Sequence, residues 1–180
     1  IKITDNVEVG AVIVDDRNPL DKFRMLGFNA IAQLATKTFL IAEVARTRRD
    51  TLAAALSSGN QNAPLAGVAQ GEKTGDAKRL ELRHASGDLE ASLYAARADV
   101  TFDNPSSSLN RGRQEIGGKL TYRIDEKTRV TGELLRTEDI ATGGKRDGAL
   151  LTVERTLANG IRIEAGVRHA RDTQAAIVPT

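Results

Sequence analysis

The chain has 180 residues, with 26 basic and 24 acidic side chains and no cysteine. The lack of cysteine excludes disulfides and thiolate metal sites, and the lack of any run of like charges leaves no electrostatic footprint for nucleic acid. No segment approaches the roughly 18 consecutive apolar residues that a membrane-spanning helix needs.

The first half of the chain alternates apolar and polar residues, which is the period-two pattern of β-strands. The alternation begins after a strand end at residues 1–3 and recurs on both sides of short polar turns, as in a β-hairpin. These turns are predicted near residues 4–6, 36–38 and 86–88. Three antiparallel pairs of strands are therefore expected before residue 99.

The second half of the chain shows the clearest alternation, around turns predicted near residues 125–127 and 157–160. One face of these strands carries apolar side chains: Leu120, Tyr122, Leu134, Leu151, Val153, Ile161, Ile163 and Val167. The other face carries charged side chains: Lys119, Arg123, Glu133, Glu154, Arg162, Glu164 and Arg168. Glu90 lies on the corresponding polar face of an earlier strand. A helix would mix the two sets on every side, so this partition indicates a sheet.

Short turns alternate with longer polar links that contain Gly, Asp and Asn. The links are predicted near residues 15–22, 47–77, 99–113 and 139–146. The chain is thus expected to form a single all-β unit over residues 1–180, an antiparallel up-and-down meander with one tight edge and one elaborated edge. Nine strands after the initial fragment is an odd number for a bacterial single-chain barrel, so a segment of a larger barrel is expected.

The segment from Arg113 to Thr173 resembles the strand pairs of large Gram-negative outer-membrane β-barrels, including porin-like and TonB-dependent-receptor-like proteins. The resemblance implies a bacterial outer-membrane location, with the apolar set facing lipid and the charged set lining the lumen. It also implies lipid, the remainder of the barrel or other envelope subunits as partners. Tyr122 lies near a short turn, where an interfacial aromatic residue belongs, although aromatic residues make up only 3% of the chain.

Three hypotheses for function follow. The first is an outer-membrane barrel that forms or supports a water-filled passage, whose mixed charges argue against strong ion selectivity. The second is an outer-membrane anchor that presents surface loops for adhesion or assembly, and the third is a soluble β-rich binding domain whose apolar face packs on another layer. The link at residues 47–77 could fold into the lumen, bind a partner outside, or form a mobile surface loop.

We expect no catalytic residue, no metal and no cofactor. His84 and His169 are predicted at opposite ends of the strands, too far apart to form a metal site or a catalytic pair. The serines at 57–58 and 106–108 fall in predicted links without a positioned base. The glycines at 143–144 lack the strand–turn–helix context of a phosphate-binding loop, so enzymatic activity is not expected.

Overall fold

The computed structural model describes residues 1–17, 21–51, 71–104 and 112–174. These residues form one ten-stranded sheet in which every strand is antiparallel to its neighbours and follows the order of the chain. The strands are β1 (Lys2–Thr4), β2 (Val7–Asp16), β3 (Asp21–Ala35), β4 (Thr38–Thr51), β5 (Gly71–Ala85), β6 (Leu89–Ala98), β7 (Arg113–Arg123), β8 (Thr128–Asp139), β9 (Lys145–Thr156) and β10 (Arg162–Thr173). The predicted all-β meander is confirmed. β1 and β10 are the two edges, and the sheet is not closed.

Short polar links join the strands at one edge of the sheet. At the link between β7 and β8, the Asp125 carboxylate accepts the backbone N–H of Lys127 at 2.7 Å. This hydrogen bond, with further ones from Thr128, holds the pKa of Asp125 below its ordinary value of 3.8. The link between β3 and β4 contains Lys37 in the left-handed conformation, with φ of 63°. Such conformations let two residues reverse the chain between antiparallel strands.

The strands reach further towards the long links than the alternation of apolar residues indicates. β4 continues to Thr51 and β5 begins at Gly71, so residues 47–51 and 71–77, predicted as link, are strand. The links predicted at 15–22 and 139–146 are shortened in the same way, because β2 ends at Asp16 and β9 begins at Lys145. Most of the extra strand residues are polar or glycine, so the hydrophobic period vanishes while the backbone pairing continues. Residues 52–70 lie outside the described part of the chain.

The pairing register assigns every strand residue to one of two faces, because directly paired residues project to the same side. We call one the apolar face, exemplified by the row Leu120, Gly132, Leu151 and Val167, and the other the charged face, exemplified by Lys119 and Glu133. The charged face of β2–β4 departs from the alternation seen in the later strands. It also carries apolar side chains: Val12, Val14, Met25, Ile31 and Ile41.

Exposure differs between the faces most clearly on β5–β7. Ala77, Glu81 and Ala96 of the charged face are buried, whereas Leu80 and Leu82 of the apolar face are 50% and 40% exposed. A water-soluble sheet normally shows the opposite arrangement, with its aliphatic face covered.

Candidate functional site: the charged face of the sheet

All of the predicted lumen residues lie on the charged face. The structure brings some of them together across strands: Lys119 Nζ is 2.7 Å from Glu133 Oε1, and Arg162 Nε is 3.5 Å from Glu154 Oε1. It does not pair the others with one another. Glu90 lies opposite Thr121, Glu164 opposite Glu154, Arg168 opposite Leu150, and Arg123 opposite Arg129. Whether this face lines a lumen stays a prediction.

The predicted lipid-facing residues that belong to strands all lie on the apolar face, Ile161 directly precedes β10, and all of them are partly or largely exposed. They continue an unbroken aliphatic surface that runs from β2 to β10 and includes Ile13, Phe28, Val44, Leu82 and Leu93. Tyr122 is on this face between Leu89 and Val130, one residue from the end of β7. No covering layer exists within the described part of the chain.

Ion pairs border the apolar face where the strands approach the long links. Arg46 donates to both carboxylate oxygens of Asp76 across β4 and β5, at 2.6 and 2.8 Å. Similar cross-strand pairs bind neighbouring strands: Asp15–Arg24, Arg48–Glu72, Arg136–Asp147 and Glu138–Lys145. The local alternation does not predict this charged border, although opposite signs at matching positions of successive strands indicate it.

The most occluded charge of the charged face is Glu81 on β5, which is 6% exposed. Its carboxylate accepts hydrogen bonds from Arg79 at 2.9 Å and Arg83 at 2.7 Å, both from the same strand. Two guanidinium groups therefore compensate for the loss of hydration of one carboxylate. Arg79 also stacks on Tyr94, with its guanidinium carbon 5.0 Å from the ring centroid.

Tyr94 lies against a glycine of the neighbouring strand. It is paired with Gly117 of β7, and a Cβ atom added at Gly117 would lie only 2.5 to 2.8 Å from three atoms of the Tyr94 side chain. Only glycine leaves room for the ring at this position. Tyr94 thus covers the backbone of β7 at Gly117 and contacts Arg79, which in turn binds Glu81.

The segment that follows β6, residues 99–104, folds over the charged face instead of away from the sheet. Phe102 is 1% exposed and packs with Ala77 and Ala98, with Ala45 against them. Gly75 lies directly under the backbone of Phe102, where an added Cβ would overlap it. A side chain at position 75 would therefore prevent this packing.

Polar contacts fix the same segment at both ends. Asp99 N–H donates to the Asp76 carbonyl at 2.9 Å, and Thr101 Oγ1 donates to the Thr74 carbonyl at 2.6 Å. Further along, Asp103 N–H donates to Thr47 Oγ1 at 3.2 Å, and the Asp103 carboxylate forms an ion pair with Arg49. The sequence predicted the link at residues 47–77 as the candidate for folding inward, whereas the segment that packs on the sheet in the described part of the chain is residues 99–104.

The two histidines do not form a site. His84 Nδ1 is 2.8 Å from Thr38 Oγ1, and His169 is paired with Ala149. The prediction that they lie at opposite ends was wrong, because the successive registers place His169 in the row of Leu82, only two residues from His84. Five strand spacings, about 24 Å at ~4.8 Å each, keep them apart.

Within residues 1–17, 21–51, 71–104 and 112–174, no group of three or more His, Asp or Glu side chains could hold a metal ion. The same residues contain no helix long and apolar enough to cross a membrane.

No family model, no curated protein and no solved structure matches this chain.

Proposed function

We propose that this chain forms part of the wall of a bacterial outer-membrane β-barrel, with its apolar face in lipid and its charged face towards a water-filled passage. The observation that carries the proposal is the uncovered apolar face. Val167 is 73% and Leu151 53% exposed, and no layer covers them within the described part of the chain. A sheet that leaves a wide aliphatic face uncovered is suited to apolar surroundings.

The size of the aliphatic surface supports the proposal. It extends across nine consecutive strands, β2 to β10, whereas the largest apolar patch on a typical soluble monomer covers roughly 300–600 Å². Each of these strands has ten to fifteen residues, enough for the roughly 9–11 residues of a tilted membrane-spanning strand. The residues beyond that length carry the charged border beside the long links, where a strand would leave the hydrocarbon.

Backbone hydrogen bonding supports it as well. Each interior strand has a paired neighbour on both sides, but β1 covers only the start of β2, so the outer sides of β1, of the rest of β2 and of β10 are unpaired edges of the sheet. In lipid, unpaired N–H and C=O groups cost several kcal/mol each, so these edges would require additional strands. The remainder of the barrel, from the same protein or from another envelope subunit, is the partner that this requirement implies.

The charged face suits a hydrated passage without strong selectivity for one sign of charge. Lys119 and Glu133 neutralise each other across strands, as do Arg162 and Glu154, so no ring of one sign forms. The 99–104 segment, packed on this face over Gly75, would narrow such a passage near the long links. The apolar residues of β2–β4, including Met25 and Ile41, would make that side of the passage less polar.

Planar-bilayer recording with the full-length protein tests the proposal. We expect discrete conductance steps, with modest preference between cations and anions. A protein that needs detergent for extraction but leaves the bilayer sealed at all voltages would reject the passage and favour the role of an anchor for surface loops. A protein that is extracted in buffer without detergent would reject both membrane roles.

A further inference from the structure

A polar concavity of about 330 Å³ lies on the charged face beside the short links, between β6, β7 and β8. Arg123 and Arg129 line it from directly opposite positions of β7 and β8. The next pair along these strands is Thr121 and Thr131, whose hydroxyl oxygens are 3.5 Å apart. Lys119 follows in the next pair. Three cationic side chains and two hydroxyl groups therefore face one small volume.

The two arginines differ from most charges of this sheet because they have no counter-ion. Neither forms an ion pair or a side-chain hydrogen bond with any residue of the described part of the chain. Glu154, which is paired in register with Arg129, is bound by Arg162 at 3.5 Å. Lys119 is bound by Glu133 at 2.7 Å. The guanidinium groups of Arg123 and Arg129 are thus the free cations of the concavity.

Like charges at directly opposite positions repel each other and destabilise a strand pair. A bound anion removes this repulsion, and a tetrahedral or planar oxyanion accepts paired N–H donors from guanidinium groups. The hydroxyls of Thr121 and Thr131 can donate further hydrogen bonds to the same oxygens. We propose that Arg123 and Arg129 form a binding site for an oxyanion, either a free phosphate or the phosphate or carboxylate group of a small solute.

Two carboxylates limit the affinity of this site. Asp88 and Glu90 also line the concavity, and Glu90 has no ion-pair partner among the described residues. Their negative charge opposes a dianion and favours a ligand that offers a cationic group beside its oxyanion. Glu90→Gln should therefore tighten the binding of inorganic phosphate, the opposite of the effect expected for the arginine variants.

Calorimetric titration of the full-length protein in detergent with inorganic phosphate tests the site, with chloride used to hold ionic strength constant. We expect a dissociation constant in the millimolar range for the native chain, at least a tenfold loss for Arg123→Gln and for Arg129→Gln, and a several-fold gain for Glu90→Gln. Arg97→Gln is the matched control, since Arg97 lies on the opposite face and forms no ion pair with the described residues, and this variant should bind as the native chain does.

The same titration with a zwitterionic amino acid distinguishes the sources of the oxyanion. If the amino acid binds more tightly than phosphate and loses this advantage in Glu90→Gln, the ligand is the carboxylate of a zwitterionic solute. If phosphate binds more tightly than the amino acid, the ligand is a free phosphate. The site is overturned if phosphate and the amino acid both fail to bind, or if Arg97→Gln weakens binding as much as Arg123→Gln. Circular dichroism of each variant confirms that the sheet has formed. This site rests on the charged face alone and not on the passage, so a sealed bilayer would leave its test intact.

Discussion

Leu150 and Leu151 are consecutive residues of β9 that face opposite sides of the sheet, and they allow a matched test of the surroundings of each face. Leu151 is in the middle of the apolar face, paired with Gly132 and Val167, and is 53% exposed. Leu150 is on the charged face, paired with Glu133. Changing each to arginine introduces the same group at the same depth of the strand.

The expected magnitudes differ because of what surrounds the new charge. In lipid, Leu151→Arg near the middle of the apolar band should cost about 2–4 kcal/mol, or roughly 30- to 1,000-fold in the folding equilibrium. Leu150→Arg places the guanidinium between Glu133 and Arg168, whose attraction and repulsion oppose each other in water, so we expect less than about 1 kcal/mol. If water surrounded the apolar face, Leu151→Arg would be a surface substitution with an effect within about 0.5 kcal/mol.

Urea-induced unfolding in lipid vesicles, followed by far-ultraviolet circular dichroism, measures both variants against the native chain. The result that supports lipid contact is a large loss for Leu151→Arg and a small one for Leu150→Arg. Equal losses for the two variants, or a Leu151→Arg variant as stable as the native chain, would refute the assignment of the apolar face to lipid.

Three further predictions concern packing and electrostatics. Phe102→Ala removes the buried ring of the 99–104 segment, so this segment should detach from the sheet about 100-fold more often. Hydrogen exchange measures this as faster exchange of the Asp103 amide, which bonds to Thr47, while the amides of the β-sheet stay unchanged. Gly117→Val should cost about 1–3 kcal/mol in denaturant unfolding because it collides with the tyrosine ring above it, whereas Gly132→Val, with open space around it, should cost far less. Asp125→Ala should lower the free energy of unfolding at neutral pH, because the Asp125 carboxyl, whose pKa is depressed, stabilises the fold while it is ionised. The difference in stability from the native chain should therefore disappear as pH falls below the ordinary carboxyl pKa of 3.8. A difference that stays constant down to pH 2 would contradict this account.

Much of the strand arrangement could be predicted because the pattern that encodes it is local. Alternate side chains of a strand project to opposite faces, so the apolar series ending in Ile163 and Val167 and the charged series containing Glu164 and Arg168 were separable by parity alone. Polar turns such as Asp125 to Lys127 marked the reversals, and short reversals force neighbouring strands to pair. One residue of slip would have exchanged the faces, which is why register and pattern agree.

The strand ends were harder to predict because other forces hold them. Beyond the apolar band, β4 and β5 stay paired through Arg46 and Asp76, whose attraction depends on two residues far apart in the chain meeting at one register position. No single window of sequence contains that information. The positions of the two histidines were misjudged for the same reason, since their rows follow from five successive registers.

The sequence by itself determined that this protein is a meander of hairpins with one aliphatic face, because period-two alternation and turn chemistry act between neighbouring residues. Only the tertiary structure decided what happens on the charged face. The contact of Tyr94 with Gly117, the packing of Phe102 over Gly75 and the meeting of Arg123 with Arg129 each join residues from different strands or segments. Their energies come from desolvation, close packing and Coulomb interaction through space, and these act only once the strands are in register.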